Sequence, residues 1–167
     1  SFSSYKNDPT SDSLSISLAN IGVSDTILYT YSGEVPTEAA QACSFITQYK
    51  NRFIANIVES PLEYAYSKQS LAGSPVEFTF DFIANIDSRI KQFTAGSALD
   101  DKFIFFGPDS IYYMVGDGPT ANGTNSDFTN PQLVSSDAGC TNQASIVTMP
   151  DGLMFQTPYK GIYLLDR

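Results

Sequence analysis

The sequence predicts an all-β fold, and three observations support that prediction. Three stretches of the 167-residue chain resemble one another, with Phe53, Phe103 and Leu153 at equivalent positions spaced by 50 and 50 residues. Aromatic residues make up 13% of the chain and charged residues only 16%, a balance typical of β-structure with large contact surfaces. Short runs such as residues 103–106 are apolar at every position, which indicates strands covered on both faces.

Each similar stretch is interpreted as an antiparallel meander. The stretches cover residues 44–67, 96–116 and 144–166, and their first turns contain Asn, Asp, Pro or Gly, which favour tight β-connections. The predicted strands run over residues 45–47, 53–57 and 62–66, then 96–98, 103–106 and 111–115, then 145–148, 153–156 and 162–165. A fourth, outer strand is predicted at residues 76–82 after the first meander and at residues 132–134 after the second.

Four antiparallel strands repeated about every 50 residues are the pattern of a β-propeller. We therefore expect residues 1–167 to form a single β-propeller-like region, with blade-like units at about residues 42–82, 94–135 and 143–167. Propellers typically close with about four to eight blades, so three units predict a fragment of a larger protein or a module completed by another chain. The alternative is an ordinary β-sandwich in which the equal spacing is accidental.

The N-terminal part of the chain carries weaker signals. Residues 1–13 are rich in Ser, Asn and Asp and are expected to be flexible. Leu14, Ile16 and Leu18 alternate as in a half-buried strand, and residues 27–31 read as a further strand, the outer strand of a preceding blade. Residues 38–42 are good helix formers that could make one helical turn, but a long helix is not expected there.

The longest segment without periodicity is residues 116–130, which is rich in Gly, Asn and Pro. Loops of this length in compact domains tend to be binding loops or mobile ones. Two interpretations stay open: a contact arm to a partner subunit, or a solvated excursion on the outer rim.

Charge and residue usage exclude several classes of function. Nine Lys and Arg against 18 Asp and Glu give a net charge of -9, which argues against specific nucleic acid binding and against binding to anionic lipid. The longest apolar runs are far shorter than the roughly 20 residues that span a bilayer, so no membrane insertion is expected. The absence of histidine removes the commonest general base and the imidazole ligands of most catalytic zinc sites, leaving only carboxylate chemistry.

The two cysteines, Cys43 and Cys140, lie beside apolar strand-like runs. A chain of this size can fold without a crosslink, so we expect both thiols to be free and buried. A disulfide between them is the alternative, and it would point to a secreted adhesion module.

Three short motifs have weak chemical signals. Residues 135–141 fit the S-x-D-x-G-x-T part of the sialidase Asp-box but lack the Trp that normally follows, and they are predicted to lie between units and not in a hairpin turn. Residues 117–127 offer carboxylate and amide oxygens, but their spacing does not follow the EF-hand order, so a calcium site is not expected. The glycosylation-like triplet at residues 122–124 is interpreted as a turn.

Neither the acidic residues nor the tyrosines form a convincing active site. Glycoside hydrolysis needs two carboxylates facing each other across a cleft, whereas the Asp residues singled out here occupy predicted hairpin tips, where Asp is favoured for its turn chemistry. A set of tyrosines on the third strands is interpreted as packing between sheets rather than as a sugar-binding platform. The acidic residues are Asp100, Asp101, Asp109 and Asp151, and the tyrosines are Tyr64, Tyr66, Tyr112, Tyr113 and Tyr163. The sequence therefore predicts no catalytic, cofactor-binding or metal-binding residue.

Several stretches carry a resemblance to a known group of proteins. They are LDDKFIFF (residues 99–106), SIYYMVGDGP (110–119), PQLVSSDAGCTN (131–142), GLMFQ (152–156) and KGIYLLDR (160–167), with LYT (28–30), CSFI (43–46) and YSK (66–68) upstream. Over residues 27–167 the chain resembles the tail and head-to-tail structural proteins of tailed bacteriophages, and its blade pattern is similar to that of the propeller-bearing nozzle proteins of short-tailed phages.

The resemblance implies a virion component near the tail tube, assembled in the host bacterial cytoplasm as a homo-oligomeric ring around the DNA exit channel. It implies other tail or head-to-tail connector proteins as partners, and neither catalytic residues nor a cofactor. An acidic channel wall would let the genome pass without binding it. The alternative from another class is a carbohydrate-binding or carbohydrate-active β-propeller, suggested by the partial Asp-box and the tyrosines.

Overall fold

The computed structural model describes residues 33–167 and, before them, two short strands. These strands, β1 (Tyr5–Asn7) and β2 (Leu14–Ile16), pair antiparallel. The first lies within the segment that we expected to be flexible, and the second covers the first two residues of the predicted Leu14, Ile16, Leu18 alternation. The predicted strand at residues 27–31 lies outside the described residues.

The remaining strands form three antiparallel meanders, so the predicted all-β class is confirmed. The first sheet has the order β3-β4-β5-β6, the second has the order β10-β9-β8-β7, and the third has the order β11-β12-β13. Their bounds are β3 (Ile46–Tyr49), β4 (Arg52–Asn56), β5 (Glu63–Tyr66), β6 (Ile83–Asn85), β7 (Ala95–Leu99), β8 (Lys102–Phe106), β9 (Ile111–Val115), β10 (Gln132–Ser135), β11 (Val147–Met149), β12 (Gly152–Thr157) and β13 (Gly161–Asp166). Within the described residues the three sheets do not close into a ring.

The described residues contain no α-helix, only the short 3-10 helices Ser88–Ile90 and Gln143–Ser145. None of them therefore belongs to a helix able to cross a bilayer. The helical turn considered for residues 38–42 is absent, because Glu38 instead forms an isolated antiparallel bridge with Phe78.

One outer strand lies where it was predicted and the other does not. Strand β10 coincides with the predicted residues 132–134, whereas β6 begins at Ile83, just beyond the predicted residues 76–82. The reason is a local turn in which the Phe82 N–H donates to the Thr79 carbonyl at 3.2 Å. This turn interrupts the pairing of residues 77–82 with the first sheet, although both ends of the segment still bond to it. The Lys68 N–H donates to the Glu77 carbonyl at 2.8 Å, and the Tyr66 N–H donates to the Phe82 carbonyl at 3.0 Å.

The first hairpin of each sheet has a two-residue turn, at residues 50–51, 100–101 and 150–151. In the first two turns the leading residue has positive φ, 50° at Lys50 and 53° at Asp100. Pro150 cannot adopt that conformation because its ring fixes φ near about -65°. The third hairpin instead has a φ of 154° at Gly152, where a Cβ would overlap the carbonyl oxygen of Leu165.

The second sheet is the middle layer of a three-sheet stack. On β8, Phe103 and Phe105 pack in the cluster shared with the first sheet, and Ile104 and Phe106 pack in the cluster shared with the third. All four side chains are buried. Because successive side chains on a strand point to opposite faces, the fully apolar run is explained by two covered faces, as predicted.

Aromatic rings hold the first and second sheets together. The ring centroids of Tyr64 and Phe105 lie 5.0 Å apart, and those of Tyr49 and Phe103 lie 5.6 Å apart. Between the second and third sheets, Phe106 and Phe155 lie 4.9 Å apart. Aromatic pairs at these separations add stabilisation of about 0.5–1.5 kcal/mol beyond the area that they bury.

Candidate functional site

The long loop at residues 116–130 folds back onto the first sheet and is bound there by Arg52. The guanidinium of Arg52 donates from Nε to the Asp117 carbonyl at 2.8 Å and from Nη1 to the Ser67 carbonyl at 2.7 Å. Its Nη2 donates to the carbonyl of Pro119. One side chain at the start of β4 thus joins two points of the loop to the segment that follows β5.

Arg52 is buried and is held mainly by neutral groups. Its guanidinium lies 5.9 Å from the ring centroid of Tyr66 and 5.8 Å from that of Phe82, a cation-π arrangement. Within the described residues it makes no salt bridge. Burial lowers the pKa of Arg52, because removal from water disfavours the charged form.

The loop also makes its own internal bonds. The carboxylate of Asp127 accepts from the backbone N–H of Asp117 at 2.6 Å and from that of Gly118. Gly116 has a φ of 117°, and a Cβ there would overlap the backbone of Asp127, so glycine is required for this close approach. These contacts make the loop a packed part of the domain, with its N-terminal half bound at the turn end of β4 in the first sheet.

A cavity of about 400 Å³ lies between the loop and the first sheet. It is open to solvent, and four of its lining residues, Tyr66, Asp81, Asn122 and Ser126, have polar groups in their side chains. The full lining is Val35, Tyr66, Asp81, Phe82, Pro119, Asn122, Gly123 and Ser126. Its volume falls within the range of about 300–1,000 Å³ that small-molecule sites occupy.

Two tertiary contacts fix the segment that contributes Val35 to the cavity. The Val35 N–H donates to the Ala121 carbonyl at 3.0 Å. The buried Lys68 ammonium lies 3.4 Å from a carboxylate oxygen of Glu34 and 3.1 Å from one of Glu77. The Lys68 hydrogen bond, followed by that of the Thr37 hydroxyl, lowers the pKa of Glu77.

The predicted hairpin-tip carboxylates do not form a catalytic pair. Asp100 bonds to Arg167, Asp101 to Lys102 and Asp109 to Lys91, while Asp151 lies in the turn of the third hairpin. In the loop, Asp117 bonds to Lys50. Across the described residues, no group of three or more acidic or Cys side chains could hold a metal ion.

Residues 135–141 connect the second sheet to the third, as predicted, and do not form a hairpin. The Cys140 N–H donates to the Gly107 carbonyl at 2.9 Å, and a Cβ on Gly139 would overlap that same oxygen. Lys160, at the β12–β13 turn, bonds to Asp137 and donates to its carbonyl at 2.7 Å. The segment therefore connects the two sheets.

The glycosylation-like triplet at residues 122–124 lies in a turn, also as predicted. The Gly123 N–H donates to the Thr120 carbonyl at 2.9 Å and closes this turn.

The tyrosines on the third strands lie mostly inside the stack. Tyr64, Tyr66 and Tyr112 are buried, so their faces are not available to stack on a sugar. The Tyr64 hydroxyl donates to the Met114 sulfur at 3.4 Å, and burial raises the pKa of Tyr64 well above its usual value. Tyr113 bonds through its hydroxyl to Gln132 at 2.7 Å, and Tyr163 is partly exposed.

The two cysteines have different environments. Both are free, and Cys140 is buried, where its sulfur lies 3.1 Å from the Ser145 hydroxyl. Cys43 is exposed, so the expectation of a buried thiol was wrong at this position. Cys43 lies before β3, outside the strand-like run beside it, whereas Cys140, also outside a strand, is buried in the cluster between the second and third sheets.

Sequence reasoning missed two side chains that hold the structure together. Arg52 is the first. The second is Gln143, whose amide accepts from the Gly96 N–H at 2.7 Å and donates to the Gly96 carbonyl at 2.9 Å, extending the edge of β7 as a strand would. For Arg52 no local signal was available, because a cation beside a turn at the start of a strand is most often a surface residue.

Comparison of the chain with protein-family models and with curated proteins found no match.

Proposed function

We propose that the chain is a structural component of a bacteriophage virion tail, nozzle- or tail-tube-associated, that acts through protein-protein interfaces around the DNA exit channel. The observation that carries the proposal is the stack of three antiparallel meanders whose turns recur every 50 residues. In the proposed assembly these sheets are consecutive blades of a β-propeller. The resemblance of residues 27–167 to phage tail proteins supports the same role.

The composition suits the wall of a channel through which DNA passes better than it suits a protein that binds DNA. With a net charge of -9, the chain repels the phosphate backbone, so a channel bordered by it would pass DNA without holding it. Three of the four hairpin-tip carboxylates, those of Asp100, Asp101 and Asp109, pair with Lys or Arg side chains and do not face each other across a cleft. A role through rigid interfaces, with other tail or connector proteins as partners, requires no catalytic group.

The test is to locate the chain in density-purified phage particles from the culture that produces it. We expect its peptides in a fixed ratio to the major capsid protein, and gold-labelled antibody at the tail end in electron micrographs. Symmetry-resolved electron microscopy should then show a ring of copies stacked on the tube. Recovery of the chain only outside particles would overturn the proposal.

A second candidate function, carbohydrate binding, is supported by the cavity with its polar Asp81, Asn122 and Ser126. Its test is binding of the intact chain to an array of bacterial surface polysaccharides. Binding that Asn122→Ala and Ser126→Ala abolish would favour this function. Binding unaffected by both substitutions, or no binding, would count against it.

A further inference from the structure

The cavity between the long loop and the first sheet contains a carboxylate without a partner. Asp81 is exposed and lines the cavity. Within the described residues its carboxylate makes neither a salt bridge nor a hydrogen bond. The lining that the structure describes contains no Lys or Arg. The cavity therefore presents a negative charge that a ligand can neutralise.

The turn that carries Asp81 is held in place by contacts with a distant part of the chain. The Glu38 carboxylate accepts from the Phe80 N–H at 2.6 Å and from the Thr79 hydroxyl at 3.4 Å. The Asp81 N–H donates to the same Thr79 hydroxyl at 3.4 Å. This is the turn that displaces β6, so the interruption of the strand places Asp81 at the cavity.

A buried hydroxyl at the cavity also lacks a partner. Tyr66 lines the cavity, and only 6% of its surface is exposed. The buried Tyr49 and Tyr64 hydroxyls each donate within the fold, whereas no described residue forms a hydrogen bond with the Tyr66 hydroxyl. In the described part of the chain, the one fully covered side-chain polar atom without a partner belongs to Ser110, so the Tyr66 hydroxyl keeps access to solvent. Because buried polar groups are normally hydrogen-bonded, this hydroxyl indicates a place for a polar ligand group.

The charges around the cavity favour a cation. The segments that line it beside the first sheet, residues 34–38, 77–82 and 116–127, contain six Asp or Glu and no Lys or Arg. Three cations contact these segments: Lys50, Arg52 and Lys68. The surroundings therefore carry an excess of negative charge, which attracts cations and repels anions.

We propose that the cavity binds the primary ammonium group of a small organic cation, with Asp81 as its counter-ion. The Asp81 carboxylate and the hydroxyl oxygens of Tyr66 and Ser126 are acceptors for the three ammonium donors. The Asn122 Oδ1 already accepts from the Thr124 hydroxyl at 2.8 Å. The Asn122 Nδ2 has no acceptor among the described residues, and it can donate to a hydroxyl group of the same ligand.

Two kinds of molecule supply this ammonium group. In an amino sugar the ammonium stands beside hydroxyl groups, whereas in a free polyamine it stands on a bare hydrocarbon chain. The inference goes beyond the tail role and rests on the cavity. Its amino-sugar form alone rests on carbohydrate binding, the second candidate function.

Nuclear magnetic resonance titration of the intact, nitrogen-15-labelled chain tests the proposal. The probes are glucosamine, N-acetylglucosamine and putrescine, at constant ionic strength and at about pH 6.5, where amines are charged. We expect the amide signals of Phe82, Gly123 and Ser126 to shift with glucosamine and with putrescine. N-acetylglucosamine should leave them unchanged, because acetylation removes the charge. Tighter binding of glucosamine assigns the site to an amino sugar, and tighter binding of putrescine assigns it to a free polyamine.

Three variants locate the binding. Asp81→Asn should weaken the binding of both amines about tenfold or more, because it removes the charged acceptor. Asp151→Asn is the matched control: Asp151 is exposed in the turn of the third hairpin and makes the same change in net charge outside the cavity, so affinity should persist. Tyr66→Phe should weaken binding but leave thermal unfolding unchanged, since its hydroxyl makes no hydrogen bond with the described residues.

Three outcomes would overturn the proposal. Equal binding of glucosamine and N-acetylglucosamine would show a site that does not recognise the ammonium, and carbohydrate binding would then stand without this inference. An equal loss of affinity in the Asp81→Asn and Asp151→Asn chains would show non-specific attraction to an acidic protein. The absence of any shift with either amine would show that the cavity binds neither. The location of the chain in virions is measured separately, so none of these outcomes bears on the tail role.

Discussion

The hydroxyl of Tyr49 donates a hydrogen bond to the main-chain carbonyl of Asp101, at 2.6 Å. The two residues belong to equivalent hairpins of the first and second sheets. The bond therefore joins neighbouring repeats on the side of the stack where these hairpin turns lie. Its energetic role can be measured directly.

Replacement of Tyr49 by Phe should destabilise the fold by about 1 kcal/mol, because the substitution removes one hydrogen bond and keeps the buried ring. Urea unfolding monitored by circular dichroism gives the free energy. Tyr113→Phe is the control: its hydroxyl bonds to Gln132 at an exposed position, so its loss should cost less. Equal effects of the two substitutions would show that the bond between the hairpins contributes no more to the free energy of unfolding than the exposed bond of Tyr113.

The stability should fall in alkaline solution because of Tyr64. Burial raises the pKa of Tyr64 in the folded chain, whereas in the unfolded chain a tyrosine ionises near pH 10. The unfolded state therefore loses its proton first, and stability that is fully present below about pH 10 is lost as the pH rises further.

Urea unfolding at pH 8 and near pH 11 measures this loss. Burial also raises the pKa values of Tyr49, Tyr66 and Tyr112, so Tyr64→Phe removes one of four contributing groups and should make the fall less steep without abolishing it. Tyr159→Phe should leave the fall unchanged because Tyr159 is exposed. An equally steep fall in the Tyr64→Phe chain would contradict the assignment.

Replacement of Arg52 by Met should loosen the loop at residues 116–130. It leaves the carbonyls of Ser67, Asp117 and Pro119 without their donor, at a cost of about 3 kcal/mol. Hydrogen exchange should rise in the loop more than in β8. Lys50→Ala is the control, because its ion pair with Asp117 is at the surface and contributes about 0–1 kcal/mol. Unchanged exchange in the loop of the Arg52→Met chain would show that other contacts suffice.

A thiol reagent should distinguish the two cysteines. In the folded chain Cys43 is exposed and should react at once, whereas Cys140 should react only after denaturation. The Cys43→Ser chain should then show no labelling until it unfolds. A wild-type chain that requires prior reduction for any labelling would instead reveal a disulfide.

The sequence predicted the parts of the fold whose cause is local. Strand β8 was predictable because residues 103–106 are apolar throughout. The hairpin turns were predictable because they contain Asn, Asp, Pro and Gly residues. The position of β6 was not predictable. Residues 76–80 alternate like a strand, but the turn between Thr79 and Phe82 displaces β6. Within that turn the Phe80 N–H donates to the Glu38 carboxylate at 2.6 Å, a contact over 42 residues that no local pattern reveals.

The cavity was beyond prediction for the same reason. The sequence indicated a long loop but not its path, because that path depends on one buried cation and the three carbonyls around it. A charged residue at the start of a strand is most often a surface residue, so the pattern alone favoured the wrong environment for Arg52.

The double burial of β8 has a consequence for how such a chain can vary. Of the two neighbouring sheets, the odd-numbered positions 103 and 105 pack against the first, and the even-numbered positions 104 and 106 pack against the third. In a set of related sequences, changes in side-chain size at the odd positions should therefore be matched in the first sheet, and changes at the even positions in the third. The substitutions along this single strand would then form two independent sets that alternate from one residue to the next.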